Sequence, residues 1–305
     1  MKVKKQKKLI KMETLGAIDI GSNAIRLLIS NVEMDMAYPE IRKTAFLRVP
    51  IRLGEDVFTK GRIGSKKKKQ LINAMLGFVQ VMKMYNVSRY KACATSAMRE
   101  AGNREEVIEA IFEKSGINIE IISGQEEADV VFEAGKLNAI MTQKSNYLYV
   151  DVGGGSTEVV VYVNQQKVAS NSFQLGTVRM LSNAIEKSEI ENFQQWLGQI
   201  YKKYEALNII ASGGNINKVH KILGKREGEA IIFPELQILY NTLSSMTYEQ
   251  RMRSYNLDTY RADVIIPALE IFLMVCNACF VRNIYVPKVG VVDGIIRNLY
   301  FSRGK

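Results

Sequence analysis

The chain states one local plan twice. Ile18-Asp19-Ile20-Gly21-Ser22-Asn23 and Val150-Asp151-Val152-Gly153-Gly154-Gly155-Ser156 each set an aspartate near the end of an apolar strand. A glycine turn with small polar residues follows, and then a second apolar strand. The length of 305 residues exceeds what one hydrophobic core usually supports. Two copies in such a chain point to two domains of related fold that face each other.

The segments between the copies alternate in type. Leu15 to Ile20, Ile25 to Val32, Tyr90 to Thr95 and Ile117 to Ile122 read as strands. Leu71, Met75, Phe78, Val79 and Met82 follow helical spacing, so Lys66 to Tyr85 reads as an amphipathic helix. Asn103 with Glu106 resembles a helix cap, and Gly116 ends that helix. A helix over Glu126 to Asn138 leads to the crossover between halves. The pattern then restarts with the strand Tyr147 to Val152. A hairpin of Glu158 to Val163 and Lys167 to Phe173 turns across Asn164-Gln165-Gln166. After further helices come the strand Asn208 to Ala211, the turn Ser212-Gly213-Gly214-Asn215 and a helix over Asn217 to Leu223. Strands interleaved with helices define an α/β fold with a mixed sheet in each half.

Three glycines at Gly153, Gly154 and Gly155 open backbone conformations closed to other residues and let amide N–H groups approach an anion. Ser156 and Thr157 add hydroxyls. The alternative is a plain tight turn. Gly21, Ser22 and Asn23 form the matching first cradle, and Gly213, Gly214 and Asn215 a third at a helix start. Asp19 and Asp151 sit beside these turns. A carboxylate next to phosphate needs a cation between them, and Mg²⁺ fits, or each aspartate only caps its turn. Glu126 and Glu127 open a helix directly after a strand, where α/β sheets bind ligands. Adjacent glutamates diverge, so at most one faces the cleft and can activate water. Glu126 also suits a helix dipole. Glu158 lies two residues beyond Ser156 and is a candidate for the same cavity. Arg99, after another strand, is a candidate phosphate clamp, or else a surface ion pair.

Composition narrows the classes. The single histidine, His220, excludes histidine-rich metal sites and a serine–histidine triad, and it reads as structural. Cys93, Cys276 and Cys279 form no paired framework, so a reduced, cytoplasmic setting is expected. The apolar stretch Val264 to Val281 contains Pro267, Glu270 and Asn277, which favours a buried core helix over a membrane span. No membrane partner is expected, and the charged N-terminus does not read as a signal peptide. Net charge is +11, with basic runs in the first eleven residues and at Lys66 to Lys69. These runs either attract a polyanion or are simply solvated.

Taken together, the segments resemble the exopolyphosphatase and guanosine-pentaphosphate phosphatase family, within the actin, sugar kinase and Hsp70 superfamily. The resemblance rests on Ala17-Ile-Asp-Ile-Gly-Ser-Asn, Ala94-Thr-Ser-Ala-Met-Arg-Glu-Ala, Ile121-Ile-Ser-Gly-Gln-Glu-Glu-Ala, Val150-Asp-Val-Gly-Gly-Gly-Ser-Thr-Glu and Arg261-Ala-Asp-Val-Ile. It implies two ribonuclease-H-like (actin-like ATPase) domains with the active site in the interdomain cleft. Their expected extents are 14–128 plus 290–305 and 129–289, after a basic tail at 1–13. It implies Mg²⁺-dependent release of terminal phosphate from polyphosphate or from pppGpp. Glu127 would be the water-activating base, with Glu158 catalytic and Arg99 assisting. Asp151, Asp19 and Glu158 would hold metal, and the three glycine turns would bind phosphates. The closing helix, Asp293 to Tyr300, would pack on the first domain. No nucleic acid is required, and a homodimer is left open. The chain resembles the short, two-domain members, and its third turn reads Ala-Ser-Gly-Gly-Asn where relatives usually show Gly-Thr-Gly-Gly-Thr. A sugar-type kinase and a non-catalytic polyphosphate or nucleotide sensor are the rival readings.

Overall fold

The structure is a computed structural model describing residues 12–34, 40–134, 140–142, 145–205 and 207–302. The basic tail at residues 1–11 lies outside the described residues. The chain opens with β1 (Met12–Ile20), β2 (Ile25–Glu33) and β3 (Ile41–Val49). Helices α1 (Leu53–Lys60) and α2 (Ser65–Met84) lead to β4 (Arg89–Ala94). Then come α3 (Ser96–Glu100), α4 (Arg104–Ser115), β5 (Ile119–Ile121) and α5 (Gly124–Glu133). The second half starts with β6 (Asn146–Val152), β7 (Thr157–Val163) and β8 (Gln166–Phe173). It continues through α6 (Thr177–Leu181), α7 (Lys187–Tyr204), β9 (Leu207–Ser212) and α8 (Gly214–Ile222). Next are β10 (Ile231–Ile232), α9 (Phe233–Ser244), α10 (Tyr248–Tyr255), α11 (Ile265–Cys279), β11 (Asn283–Tyr285) and α12 (Val291–Phe301).

Both sheets have one topology. The first runs β3-β2-β1-β4-β5, and the second runs β8-β7-β6-β9-β11 with β10 added at its edge. In each, the first three strands are antiparallel neighbours. The next two run parallel to the first. The repeated turn therefore occupies the same place in two ribonuclease-H-like sheets, the expected fold class. β3 and β11 had not been read from the sequence. β3 mixes charged and apolar residues without a clean period along a sheet edge that is never fully buried, and β11 has only three residues, so neither makes a strong apolar run.

Three cores hold the layers together. One, built around Leu71, Met75, Phe78 and Val107, packs α2 and α4 on the outer face of the first sheet. Another packs α7, α9 and α11 on the outer face of the second through Phe193, Leu197, Leu236 and Phe272. The third lies between the sheets, where Ala17, Leu28, Tyr149 and Tyr162 meet Ala128 and Val131 of α5 and Ile295 and Ile296 of α12. α12 packs on β1, β2, β4 and α5, as the family resemblance implied for the closing helix. Gly294 is what lets α12 approach, because a Cβ there would overlap the Val130 carbonyl of α5.

Local signals behave as their chemistry dictates, with one exception. Gly116 takes φ +71° and donates to the Phe112 carbonyl, ending α4. Asn164 and Gln165 both have positive φ, the hairpin turn whose twist matches its strands. Asn103, however, does not cap α4. Its side chain is committed to the Ile63 backbone, accepting from N–H at 2.9 Å and donating to the carbonyl at 3.0 Å. The Lys66 to Lys69 run opens α2, where Lys67 pairs with Glu55 at 2.7 Å and Lys68 with Glu106 at 2.6 Å. The end of the crossover helix expected near Asn138 falls outside the described residues. α11 is a buried core helix, and no described helix is long and apolar enough to cross a membrane. All three cysteines are buried and free.

Candidate active site

The repeated turns close in the same way. Gly21 N–H donates to the Ala24 carbonyl at 3.2 Å, and Gly153 N–H to the Ser156 carbonyl at 2.9 Å. The turns face each other and touch: a Cβ on Gly154 would lie 3.0 Å from the Asn23 nitrogen and from Ser22 Cβ. Behind the second turn, Thr177 and Val178 N–H groups hold the Gly153 and Gly154 carbonyls at 3.0 and 2.8 Å. A trans peptide whose carbonyl points back turns the next N–H the other way. The amides of Gly154 and Gly155 are thus presented opposite α6, and both glycines line a cleft of ≈ 450 Å³. The third turn joins that cleft. Gly213 needs its φ of +114°, and a Cβ there would come 2.8 Å from the Val152 carbonyl. The expected cradle residues of all three turns line one cavity.

The repeat breaks at the charges, and the break matters. Asp19 stands opposite Arg26 across β1–β2, whereas Asp151 stands opposite Glu158 across β6–β7. Asp19 forms an ion pair with Arg26, so its carboxylate reaches the cleft already neutralised. Asp151 has no such cation across the ladder. Its Oδ2 lies 3.1 Å from Tyr149 Oη and 3.2 Å from Ser212 Oγ, both able to donate to it. Ser212 Oγ is also 3.0 Å from the Val289 carbonyl and has one proton to share. Burial still pushes Asp151 upward from the usual carboxylate pKa, against these donors.

Glu158 is buried and accepts from Ser156 Oγ at 2.6 Å and Ser172 Oγ at 3.1 Å. Burial raises its pKa to about 7. It approaches the cleft through Ser156 and is not itself in the wall. Glu126 and Glu127 diverge as expected. Glu126 closes a capping box with Ser123 and remains exposed. Glu127 lines the cleft, and its Oε2 is enclosed without a hydrogen-bond partner. Burial and then the Glu158 and Asp151 charges hold its pKa well above the carboxylate range. Among the described residues, no three acidic, histidine or cysteine side chains form a ready metal shell.

Arg99 corrects one expectation. It is not in the cleft wall, and its Nη1 donates to the Ile122 carbonyl at 2.6 Å. That bond ties α3 to the junction of β5 and α5, the segment that carries Glu127. The cations in the wall are others, including Arg26, Arg48, Arg261, Lys221 and Lys288. Burial and then the neighbouring Arg261 lower the Arg48 pKa to about 10. Sequence reading missed Arg26 and Tyr149. Counting outward from each turn would have found both: Arg26 stands across the first turn from Asp19, and Tyr149 lies two residues before Asp151 on the same strand face.

Several contacts clasp the halves, among them the ion pair of Arg48 with Asp258 at 3.6 Å. Arg179 pairs with Glu100 at 2.6 and 2.7 Å, donates to the Gly155 carbonyl at 2.8 Å and lies 3.9 Å over the Phe58 ring. Arg52 pairs with Asp263. His220 is fully buried on α8 with Nε2 2.9 Å from the Glu229 carbonyl, a structural role as expected.

Two related sheets with three glycine turns converging on one cleft define a two-domain α/β protein of the ribonuclease-H-like class. A sequence profile of the Ppx/GppA phosphatase family matches residues 41–301, and the chain belongs to that family. It is 30% identical over 176 residues to exopolyphosphatase 2 of Mycobacterium tuberculosis, spanning 56% of this chain and 54% of that one. The chain thus matches about half the length of that curated relative. A putative exopolyphosphatase of Haemophilus influenzae is 22% identical over 93% of this chain and 91% of its own. A guanosine-5'-triphosphate,3'-diphosphate pyrophosphatase of Aeromonas hydrophila is 22% identical over 93% of this chain and 59% of its own. Among solved structures, an exopolyphosphatase from Cytophaga hutchinsonii has the same fold, with a TM-score of 0.82 at 20% identity, covering 95% of this chain and 98% of that one. The Aquifex aeolicus family member aligns with a TM-score of 0.76 at 22% identity, covering 97% and 100%.

Proposed function

We propose that the protein hydrolyses the terminal phosphoanhydride of inorganic polyphosphate and releases phosphate. The observation that carries this is Glu127, an enclosed carboxylate with a free Oε2 in the wall of a cleft built from phosphate-sized glycine cradles. The amides of Gly154 and Gly155 bind the terminal group, with Ser156 and the first and third turns beside them. Arg48 and Arg261 add positive charge where the substrate is negative. Glu127 orients and deprotonates a water for in-line attack. Glu158, behind Ser156, sets the charge that Glu127 feels. Of the expected metal ligands, Asp151 lines the cleft without an ion-pair partner among the described residues and would hold Mg²⁺, which takes one or two carboxylates and completes its shell with water and phosphate oxygens. Held there, the ion would neutralise charge developing on the transferring group.

Replacing Glu127 with Gln keeps the shape and removes the base. Phosphate release from polyphosphate is expected to fall by roughly 10²-fold or more, with binding retained. Release at the wild-type rate would refute the assignment.

A second reading, a pppGpp 5'-phosphatase on the same cleft, is favoured by Phe46, a half-exposed ring in a wall otherwise rich in charge. Phosphate release measured in parallel on long polyphosphate, pppGpp and ATP separates the two. A strong preference for pppGpp would replace the first reading.

A further inference from the structure

Arg179 is the only arginine or lysine that is buried among the described residues. A guanidinium out of water needs a counter-charge and filled hydrogen bonds. The counter-charge comes from the first half of the molecule, where Nη2 lies 2.6 and 2.7 Å from the two Glu100 oxygens of α3. The guanidinium also lies over the Phe58 ring of α1, again from the first half. Arg179 is not in the cleft wall, so any effect on the chemistry passes through the groups it holds.

One of those groups belongs to the second glycine turn. α6 holds three successive carbonyls of that turn. Thr177 N–H donates to Gly153 at 3.0 Å, and the Val178 and Arg179 N–H groups donate to Gly154 at 2.8 and 3.1 Å. The third carbonyl, that of Gly155, is held by the side chain of Arg179 instead, with Nε at 2.8 Å. Gly154 and Gly155 leave this backbone free to rotate, so the orientation of the Gly155–Ser156 peptide must be imposed. With its carbonyl turned back to Arg179, the planar trans peptide turns the Ser156 N–H the other way, toward the cleft that Ser156 lines. A flipped peptide would present a carbonyl there and repel a phosphate. The first half fits closely against the same turn: a Cβ on Gly155 would fall 2.2 Å from Ser96 Oγ and 2.5 Å from the Phe58 ring. Glu100 accepts from Ser96 Oγ at 2.9 Å. Its neighbour Arg99 holds the Ile122 carbonyl, beside the segment that carries Glu127. The short helix α3 therefore reaches both the cradle and the base.

We propose that Arg179 is a positioning residue of this cleft: anchored by Glu100 across the domain junction, it fixes the Gly155–Ser156 peptide so that the Ser156 N–H joins the Gly154 and Gly155 amides as a donor to the transferring phosphate. This rests on the proposed reading of the cleft and deepens it. The last donor of the cradle is set only when the halves are docked, because Glu100 and Phe58 belong to one half and the turn to the other. Amides preorganised at developing charge act on the transition state more than on the bound substrate, so their loss falls on kcat more than on KM.

The test uses the full chain with Arg179→Lys, Glu100→Gln, the double variant and Arg52→Gln, against wild type. Arg179→Lys keeps the charge, but a single ammonium cannot serve Gly155 and both Glu100 oxygens as the planar fork does. On polyphosphate, its kcat is expected to fall roughly tenfold or more while KM stays within about threefold. Glu100→Gln should lower kcat in the same direction, and the double variant should lose no more than Arg179→Lys alone, since both act through one guanidinium. Arg52→Gln breaks a clasp that does not touch the turn, so its effect should fall on KM. Loss of thermal stability with kcat unchanged in Arg179→Lys and Glu100→Gln, or a kcat loss matched by Arg52→Gln, would reduce Arg179 to a clasp and overturn the proposal. A second readout needs no turnover: the Ser156 amide signal in ¹⁵N-serine-labelled protein, assigned by its loss in Ser156→Ala, titrated with inorganic phosphate. It should move in wild type and stay still in Arg179→Lys; equal movement in both, or none in either, would also overturn the proposal. If wild type releases no phosphate from polyphosphate, the proposed activity fails, and the Ser156 amide alone then decides the role of Arg179.

Discussion

Arg52 donates from Nη2 to both carboxylate oxygens of Asp263, at 2.5 and 2.6 Å, and so bridges the two halves beside the cleft. The same arginine holds φ +57° at the start of α1, and its N–H donates to the Asn23 carbonyl at 3.0 Å. The bridge therefore runs from the first glycine turn to the segment before α11. It gives a physical reason for aspartate in the Arg261-Ala-Asp-Val-Ile motif: Asp263 is a clasp, while Arg261 faces the cleft.

Breaking this clasp should loosen the cleft more than it unfolds the protein. Asp263→Asn and Arg52→Gln are each expected to raise KM severalfold. A double-mutant cycle on thermal unfolding should give a coupling of roughly 0.5–3 kcal/mol. Additive effects would show that the pair does not act as a unit.

The contact of α12 with α5 depends on the absence of a side chain. Gly294→Ala would press a methyl into the Val130 backbone. A loss of about 1–3 kcal/mol is expected, the usual cost of overpacking, read by urea unfolding. An unchanged midpoint would mean the two helices can part freely.

Glu158 is held neutral by burial, so its pH linkage has a definite sign. Its folded pKa of about 7 exceeds the ordinary value of 4.5. Its contribution to stability is full below the unfolded value and is lost as pH rises through the folded one. Glu158→Gln does not titrate and can still accept from Ser156 and Ser172. Its thermal stability relative to wild type should therefore rise between about pH 4.5 and 7 and level off above that window. Activity should move oppositely, with wild-type kcat/KM climbing as the Glu127–Glu158 pair loses its proton. A difference in melting temperature that is flat with pH would refute the linkage.

Tyr149 Oη is a hydrogen-bond donor to the Asp151 carboxylate. Tyr149→Phe removes that donor and keeps the ring in the core between the sheets. Stability should drop by about 0.5–1.5 kcal/mol, and kcat should fall by less than tenfold, well short of the Glu127→Gln effect. A loss as large as that of Glu127→Gln would place Tyr149 in the chemistry itself.

The sequence by itself determined the repeat, and through it the two related sheets. Apolar strands ended by Asp-x-Gly turns carry their own local instructions, because glycine conformation and strand alternation are short-range properties. Glu126 and Glu127 could likewise be separated in principle, since neighbouring helical residues diverge by a fixed angle. The tertiary structure alone decided what each charge does. Asp19 and Asp151 look alike along the chain, yet one stands across a ladder from Arg26 and the other from Glu158. Arg99 reads as a phosphate clamp until the end of β5 comes within reach and takes its guanidinium. Arg48, Arg261, Lys221 and Lys288 are scattered through the chain and share a cleft only when the sheets face each other. Burial and charge proximity depend on residues distant in sequence, and these set the pKa of Glu127 and Glu158 and gather the cations.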